Sequence, residues 1–323
     1  MNNILLTSVG RRVSLVKFFQ DELKAINSDG KLYGTDADPF LSSACRVADG
    51  FFKVPRVDTD DYIQLLLEKC KKFNISLIIP TIDTELLVLS KNKSIFEENN
   101  IKVVISDIDL IKKCRNKRLT HELFQLKGIG VAKEYDKSDF KLPMFIKPYD
   151  GSRSVDTFII NSKEELTEYH FENEKLMFLE YLDHTKYDEY TCDLYYNTKG
   201  VLICAVPRQR LLVRDGEVNK GLTKKNGLVP FLKEHMGKVE GAQGCLTTQF
   251  FMEKETNEIY GIEINPRFGG GFPLTYLSGA NFPKWIIKEY ILGEEINSFY
   301  NDWEEDLLML RYDAEVLVHG YKS

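Results

Sequence analysis

Over the first hundred or so residues, short apolar runs alternate with amphipathic stretches. ILLT (4–7) stops at Ser8-Val9-Gly10, and a helical pattern follows over 14–26. A second strand spans 31–34 and ends in DADP; residues 62–73 place Ile63, Leu66, Leu67 and Cys70 at helical intervals. SLIIP (76–80) predicts a strand, residues 84–99 a helix and KVVIS (102–106) a further strand. Short buried strands separated by helices predict a parallel α/β sheet, so the first unit ends near residue 107.

The pattern then changes. Residues 108–126 are helical, and KGIGVAKEY opens a strand-rich region. Strands are expected at 144–148, 155–160 and 175–182, around a helix at 163–169. Longer strands follow at 191–196, 201–213, 245–255 and 257–266, with two-residue alternation in TTQFFM. A late helix in FPKWIIKEYILG and a closing strand at 307–318 complete an α+β arrangement without internal repeats.

Against this pattern four groups of polar residues stand out. In FIKPYDGSRSV, Lys147 precedes Gly151, Ser152 and Ser154; a strand lysine before such a loop suits phosphate, and also suits an ordinary hairpin. In LEYLDHTKYDEYTCD, Glu180, Asp188, Glu189 and Asp193 flank a turn; they suit a nucleobase amine or ribose, or simply solvent. In PRQRLLVRDG, Arg208, Arg210 and Arg214 share a strand face, as anion-binding arginines or as a charged sheet surface. In IEINPRFGGG, Glu263, Asn265 and Arg267 alternate with isoleucines. With Gln249 they offer the oxygen ligands that Mg²⁺ prefers and a cation for phosphoryl charge, or a strand that merely surfaces at a turn.

Composition narrows the classes. The 323 residues carry a formal charge of -6, which argues against a nucleic-acid partner. Six cysteines without a CxxC pair argue against disulfide staples and a thiolate zinc site. No run approaches the roughly 20 apolar residues of a membrane span, and the start lacks the pattern of a signal peptide. HExxH, GxSxG, GxGxxG and GxxxxGK[ST] are absent. The expectation is a cytoplasmic enzyme or binding protein.

In order, Asn116-Lys117, IKPYDGSRSV, LEYL, DEYTCDLY, VPRQR, TQFF and IEINPRFGG resemble an ATP-grasp enzyme of the carbamoyl-phosphate-synthase large-subunit-like branch. The resemblance implies a Rossmann-like pre-ATP-grasp domain at 1–107, a linker helix and lid at 108–182 and a catalytic sheet at 183–323. It implies ATP held by Lys117, Lys147, the loop with Gly151, Ser152 and Ser154, the segment Glu180, Tyr181 and Leu182, and Glu189. Gln249, Glu263 and Asn265 would hold Mg²⁺, in two ions, with Mn²⁺ as a substitute. Catalytic roles would fall to Arg267, Arg208, Arg210 and Lys147, while TSVGRR and IPTIDTELL put Arg11, Arg12, Asp83 and Glu85 on the acceptor side. The implied reaction joins a small-molecule carboxylate to an amine through an acylphosphate, in a chain for which a homodimer is compatible. The alternatives are a kinase or carboxylating enzyme of this fold, and a non-catalytic nucleotide-binding regulator.

Overall fold

The computed structural model describes residues 2–151, 155–214 and 216–321. Its first sheet is parallel, with β1 (Asn3–Thr7), β2 (Leu32–Asp36), β3 (Gly50–Lys53), β4 (Ile75–Pro80) and β5 (Lys102–Val103) in the order β3-β2-β1-β4-β5. All five residues of β1 are buried, because helices cover both faces of a central parallel strand. The chain winds outward from β1 in one direction and restarts at β4 in the other. The carboxyl ends of β1 and β4 therefore flank a topological switch point, the usual place for a ligand crevice in such a sheet.

β6 (Gly130–Val131) leaves this unit, and β7 (Glu134–Tyr135), β8 (Met144–Pro148), β9 (Phe158–Ile160) and β10 (Leu176–Glu180) make a small antiparallel sheet in the order β7-β10-β8-β9. This is the sheet expected to be the lid, and it has its own core of Met144, Ile146, Ile160, Leu176 and Phe178. The third sheet has seven strands. They are β11 (Tyr187–Tyr196), β12 (Leu202–Arg214), β13 (Glu217–Thr223), β14 (Gly244–Glu253), β15 (Ile259–Asn265), β16 (Leu308–Leu310) and the returning β6. Their order is β16-β13-β12-β11-β14-β15-β6, antiparallel except at β15–β6.

The structure departs from the sequence pattern at breaks and edges. The helix expected over 108–126 is two, Ile108–Arg115 and Lys117–Leu126, because the Asn116 side chain accepts from the Arg118 N–H and restarts the helix. That over 84–99 is likewise Asp83–Lys91 and Lys93–Glu97, parted at Asn92. The closing strand pairs only at Leu308–Leu310, and β13 and the helix Leu228–His235 were not anticipated.

The first domain does not stand apart from the large sheet. Helix Val13–Ile26 packs on Phe272–Leu277 and Phe282–Ile287, with Phe18 stacked on Tyr276 and Phe19 edge-on to Phe268. One apolar cluster runs from Ile4 and Leu6 to Phe272 and Trp303, so the first domain is held against the large sheet.

Candidate active site

Register explains the site. In the β14–β15 ladder Gln249 lies opposite Glu263 and Thr247 opposite Asn265. In the β11 ladders Thr191 pairs with both Gln249 and Arg208. Two-residue periodicity then puts Glu189, Thr191 and Asp193, Arg208 and Arg210, Thr247 and Gln249, and Glu263 and Asn265 on one face. The other face carries Tyr190, Cys192, Leu194, Leu246 and Ile264 into a separate apolar core.

On the polar face Glu263 is the centre. Its Oε1 accepts from Gln249 Nε2 at 2.8 Å and from Asn265 Nδ2 at 2.9 Å. Both amides thus spend their nitrogens on the carboxylate, leaving carbonyl oxygens of the kind a hard cation takes. Among the described residues no three His, Cys, Asp or Glu side chains converge to hold a metal. A set of one carboxylate and two amides fits an Mg²⁺ whose remaining ligands come from phosphates and water.

Two lysines face this centre. Lys117, at the start of its helix, donates to the Gly151 carbonyl at 2.5 Å and stands 4.0 Å from Glu263 Oε2. Lys147 is buried on β8, and burial pulls its ammonium down to about 8, partly opposed by Glu263 and assisted by Lys117. Lys117 is lowered too, burial again being the main cause. A buried and a partly buried ammonium near one carboxylate carry a desolvation cost that phosphate oxygens would offset. Ser152 and Ser154, expected on the phosphate loop, lie outside the described residues.

Arg267 turns to the first domain: Nη2 and Nε bond Asp83 Oδ2 at 2.6 and 3.1 Å, which holds the guanidinium charged. Glu189 binds Arg210 Nε at 3.1 Å, and burial raises this carboxyl despite that partner. Arg210 Nη1 reaches Thr191 Oγ1 at 3.3 Å, so this pair forms one end of the cleft floor. Glu180 ends β10 exposed, its N–H bonded to the Lys133 carbonyl, and half-buried Tyr181 and buried Leu182 continue the strand out of the lid.

Three expectations need correction. Arg208 is 1% exposed and does not line the cleft: its Nη2 lies 2.9 Å from Asp193 Oδ2, and a Cβ on Gly271 would stand 2.1 Å from its Nη1. Only glycine lets the turn after Arg267 close over that guanidinium, whose Nε and Nη1 have no hydrogen-bond partner. Asp193 is no turn residue; fully buried in mid-strand, it accepts from Thr247 at 2.9 Å and Thr275 at 2.6 Å. Glu85 is core. Thr7 Oγ1 and the Tyr62 hydroxyl both donate to it, and burial raises its pKa, so it offers nothing to an acceptor. Sequence reasoning missed Glu217, which binds Arg11 at 3.3 Å and Arg311 at 3.2 Å; the visible signal was a lone acid beside the DG turn.

The geometry has counterparts. Residues 4–104 match the family described as PylC-like, N-terminal domain, and residues 172–309 match ATP-grasp in the biosynthetic pathway with Ter operon. The second of these segments thus matches an ATP-grasp family. Among solved structures, it is similar to the biotin carboxylase domain of a Hydrogenobacter thermophilus 2-oxoglutarate carboxylase, solved with MgADP, ADP and bicarbonate. That match has TM-score 0.73 and 16% identity, over 94% of this chain and 73% of that one. A Campylobacter jejuni biotin carboxylase bound to an ATP analogue matches at TM-score 0.70 and 14% identity, over 92% and 72%. Staphylococcus aureus N5-carboxyaminoimidazole synthetase with ADP matches at TM-score 0.70 and 15% identity, over 92% and 79%. At these identities the likeness is one of fold. No curated protein matches the sequence. Among the described residues no helix is long and apolar enough to cross a membrane.

Proposed function

We propose that this ATP-grasp chain uses ATP and Mg²⁺ to activate a small-molecule carboxylate and joins it to an amine. The observation that carries the reading is the meeting of Lys117 and Lys147, from the lid side, with Gln249, Glu263, Asn265 and Arg267 on the catalytic face. Phosphoryl transfer asks the protein for alignment and charge neutralisation rather than a covalent nucleophile, and these residues supply both. An oxygen of the carboxylate attacks the γ-phosphorus, the bond to the β–γ bridging oxygen breaks, and ADP leaves. The amine nitrogen then attacks the acyl carbon, the C–O bond to phosphate breaks, and the ammonium proton passes to water. Mg²⁺, held by Glu263 with Asn265 and Gln249, would neutralise phosphate charge. Arg267, oriented by Asp83, sits where the first domain meets that site and supports the transferred group. Glu180, Tyr181 and Leu182 supply the adenine-side wall, and Glu189 with Arg210 the ribose side.

ADP release across a matrix of carboxylates and amines, followed by product mass, tests this directly. ADP formed only when both partners are present, with a product lighter than their sum by one water, is the expected result. The similar biotin carboxylase solved with bicarbonate motivates a second reading, in which bicarbonate is the activated carboxylate. ADP release on bicarbonate without an organic acid would select it.

Lys147 gives the reading a pH signature. Phosphate oxygens favour the charged ammonium, so binding raises a pKa that burial has lowered to about 8. Affinity for MgATP is therefore full below about pH 8 and falls as pH rises above it, with proton uptake on binding. Calorimetry in buffers of different ionisation enthalpy should show that uptake, and Lys147→Met should reduce it.

A further inference from the structure

We infer that the carboxylate substrate carries a second acidic group, docked by Arg11, Arg12 and Arg311 where the first domain's switch point meets the catalytic sheet. The inference rests on the proposed ATP-dependent activation of a carboxylate and names a substrate class for it.

Charge is the first observation. Arg11 and Arg311 share the single carboxylate of Glu217, at 3.3 and 3.2 Å. Arg214 binds Asp313 at 2.9 Å and Arg267 binds Asp83 at 2.6 Å. Arg12 donates to the Phe268 carbonyl at 3.1 Å, a neutral oxygen. Setting aside Arg214 and Arg267 with their own carboxylate partners, Arg11, Arg12 and Arg311 gather around the one carboxylate of Glu217. Asp36 is nearby, but its oxygens accept from the Gly10 and Asp38 amides at 3.0 and 3.3 Å, and counting it still leaves a positive excess. Burial chiefly, and then Arg267, pulls Arg12 down to about 10, against the opposing effect of Glu217 and Asp83. Arg11 is 70% exposed along its side chain, so its pair with Glu217 is weak and the guanidinium is available to a ligand.

The backbone is the second. The helix Val13–Ile26 begins at this point without a side-chain cap and with no acidic residue in its first turn. The Val13 N–H donates to the Arg11 carbonyl at 2.9 Å, and the positive dipole end beyond it favours an anion. Gly10, at φ 49°, turns the chain so that Arg11 and Arg12 follow directly onto that helix start. Thr81 Oγ1 holds the loop in place by donating to the Thr7 and Ser8 carbonyls, both at 2.9 Å. The third observation is the residue order after β16. Arg311 and Asp313 alternate with Tyr312 along an extended segment that runs on to Tyr321, whose ring lies under Arg46 of the first domain at 6.0 Å. This segment spans from the sheet edge to the first domain and brings Arg311 to the cleft mouth.

One acidic group of the substrate would then lie near Arg267 for activation while the other bonds Arg11, Arg12 and Arg311. A dicarboxylate and a phosphorylated carboxylic acid share this chemistry. Calorimetric titration of the whole chain with glutarate, 3-phosphoglycerate and butyrate, at matched ionic strength and with a non-hydrolysable MgATP analogue present, tests it. The expected result is that at least one doubly acidic probe binds about tenfold or more tightly than butyrate. Whichever of glutarate and 3-phosphoglycerate binds better identifies the second group. Arg311→Gln and Arg11→Gln, both at exposed positions that folding tolerates, should each reduce that preference severalfold. Equal binding of all three probes, or a preference untouched by both substitutions, overturns the inference. Failure of the MgATP analogue itself to bind the unsubstituted protein is a separate result, and it removes the ATP-dependent reading on which the inference rests.

Discussion

Replacing Glu263 by glutamine should lower acceptor-dependent ADP release by about a hundred- to a thousandfold, on the order of 3–4 kcal/mol in the barrier. The substitution keeps the shape of the side chain, and its amide oxygen can still accept from Gln249 and Asn265. Folding should therefore survive, with a melting temperature close to that of the parent. What disappears is the negative charge, and it acts twice. It is the one carboxylate in the oxygen set proposed to hold Mg²⁺. It also raises the pKa of Lys117 and Lys147 against the larger effect of burial. Without it, Lys147 should titrate below about 8, so the loss of MgATP affinity at alkaline pH should begin earlier in the variant. Steady-state rates and nucleotide titrations from pH 6 to about 9 check both parts. An unchanged rate would remove Glu263 from the catalytic centre.

The sequence conveyed the kinds of structure better than their edges. Alternation of ILLT, SLIIP and KVVIS with amphipathic stretches announced the parallel sheet, because strands covered on both faces must be apolar throughout. Strand order and the switch point depend on which strands meet across long separations, which periodicity does not record. The spacing of Glu263, Asn265 and Arg267 placed them together because strand periodicity is local. Arg208 and Arg210 were also legible as sharing a face, yet they differ in depth. Gly271 and the helix Phe272–Leu277, some sixty residues later, roof one and leave the other in the cleft. Arg311 was hidden in the same way. Its pattern promised a strand over 307–318, whereas only Leu308–Leu310 find a partner and the continuation serves the charged cluster instead.

Asp193→Ala should be the most destabilising of the substitutions considered, at about 3–5 kcal/mol, because it strips a buried cation of its carboxylate partner. Arg208 is 1% exposed and Asp193 0%, so water cannot replace the lost partner without opening the core. The same change takes an acceptor from the hydroxyls of Thr247 and Thr275. Thr247 also bonds the Arg267 carbonyl at 3.0 Å, and Gly269 packs on it closely enough that a Cβ there would lie 2.9 Å from its Oγ1. Asp193 thus supports, from below, the turn that presents Arg267. Arg208→Met should cost less, because the carboxylate it leaves without a cation keeps two hydroxyl donors. The double variant Asp193→Ala/Arg208→Met should accordingly be more stable than Asp193→Ala alone, a coupling that urea titration of the three variants would measure. If the single alanine variant were as stable as the parent, Asp193 and Arg208 would not form the buried pair that holds the turn. Reduced kcat with near-normal MgATP affinity in Arg208→Met would show that the pair acts on the position of Arg267 rather than on the nucleotide.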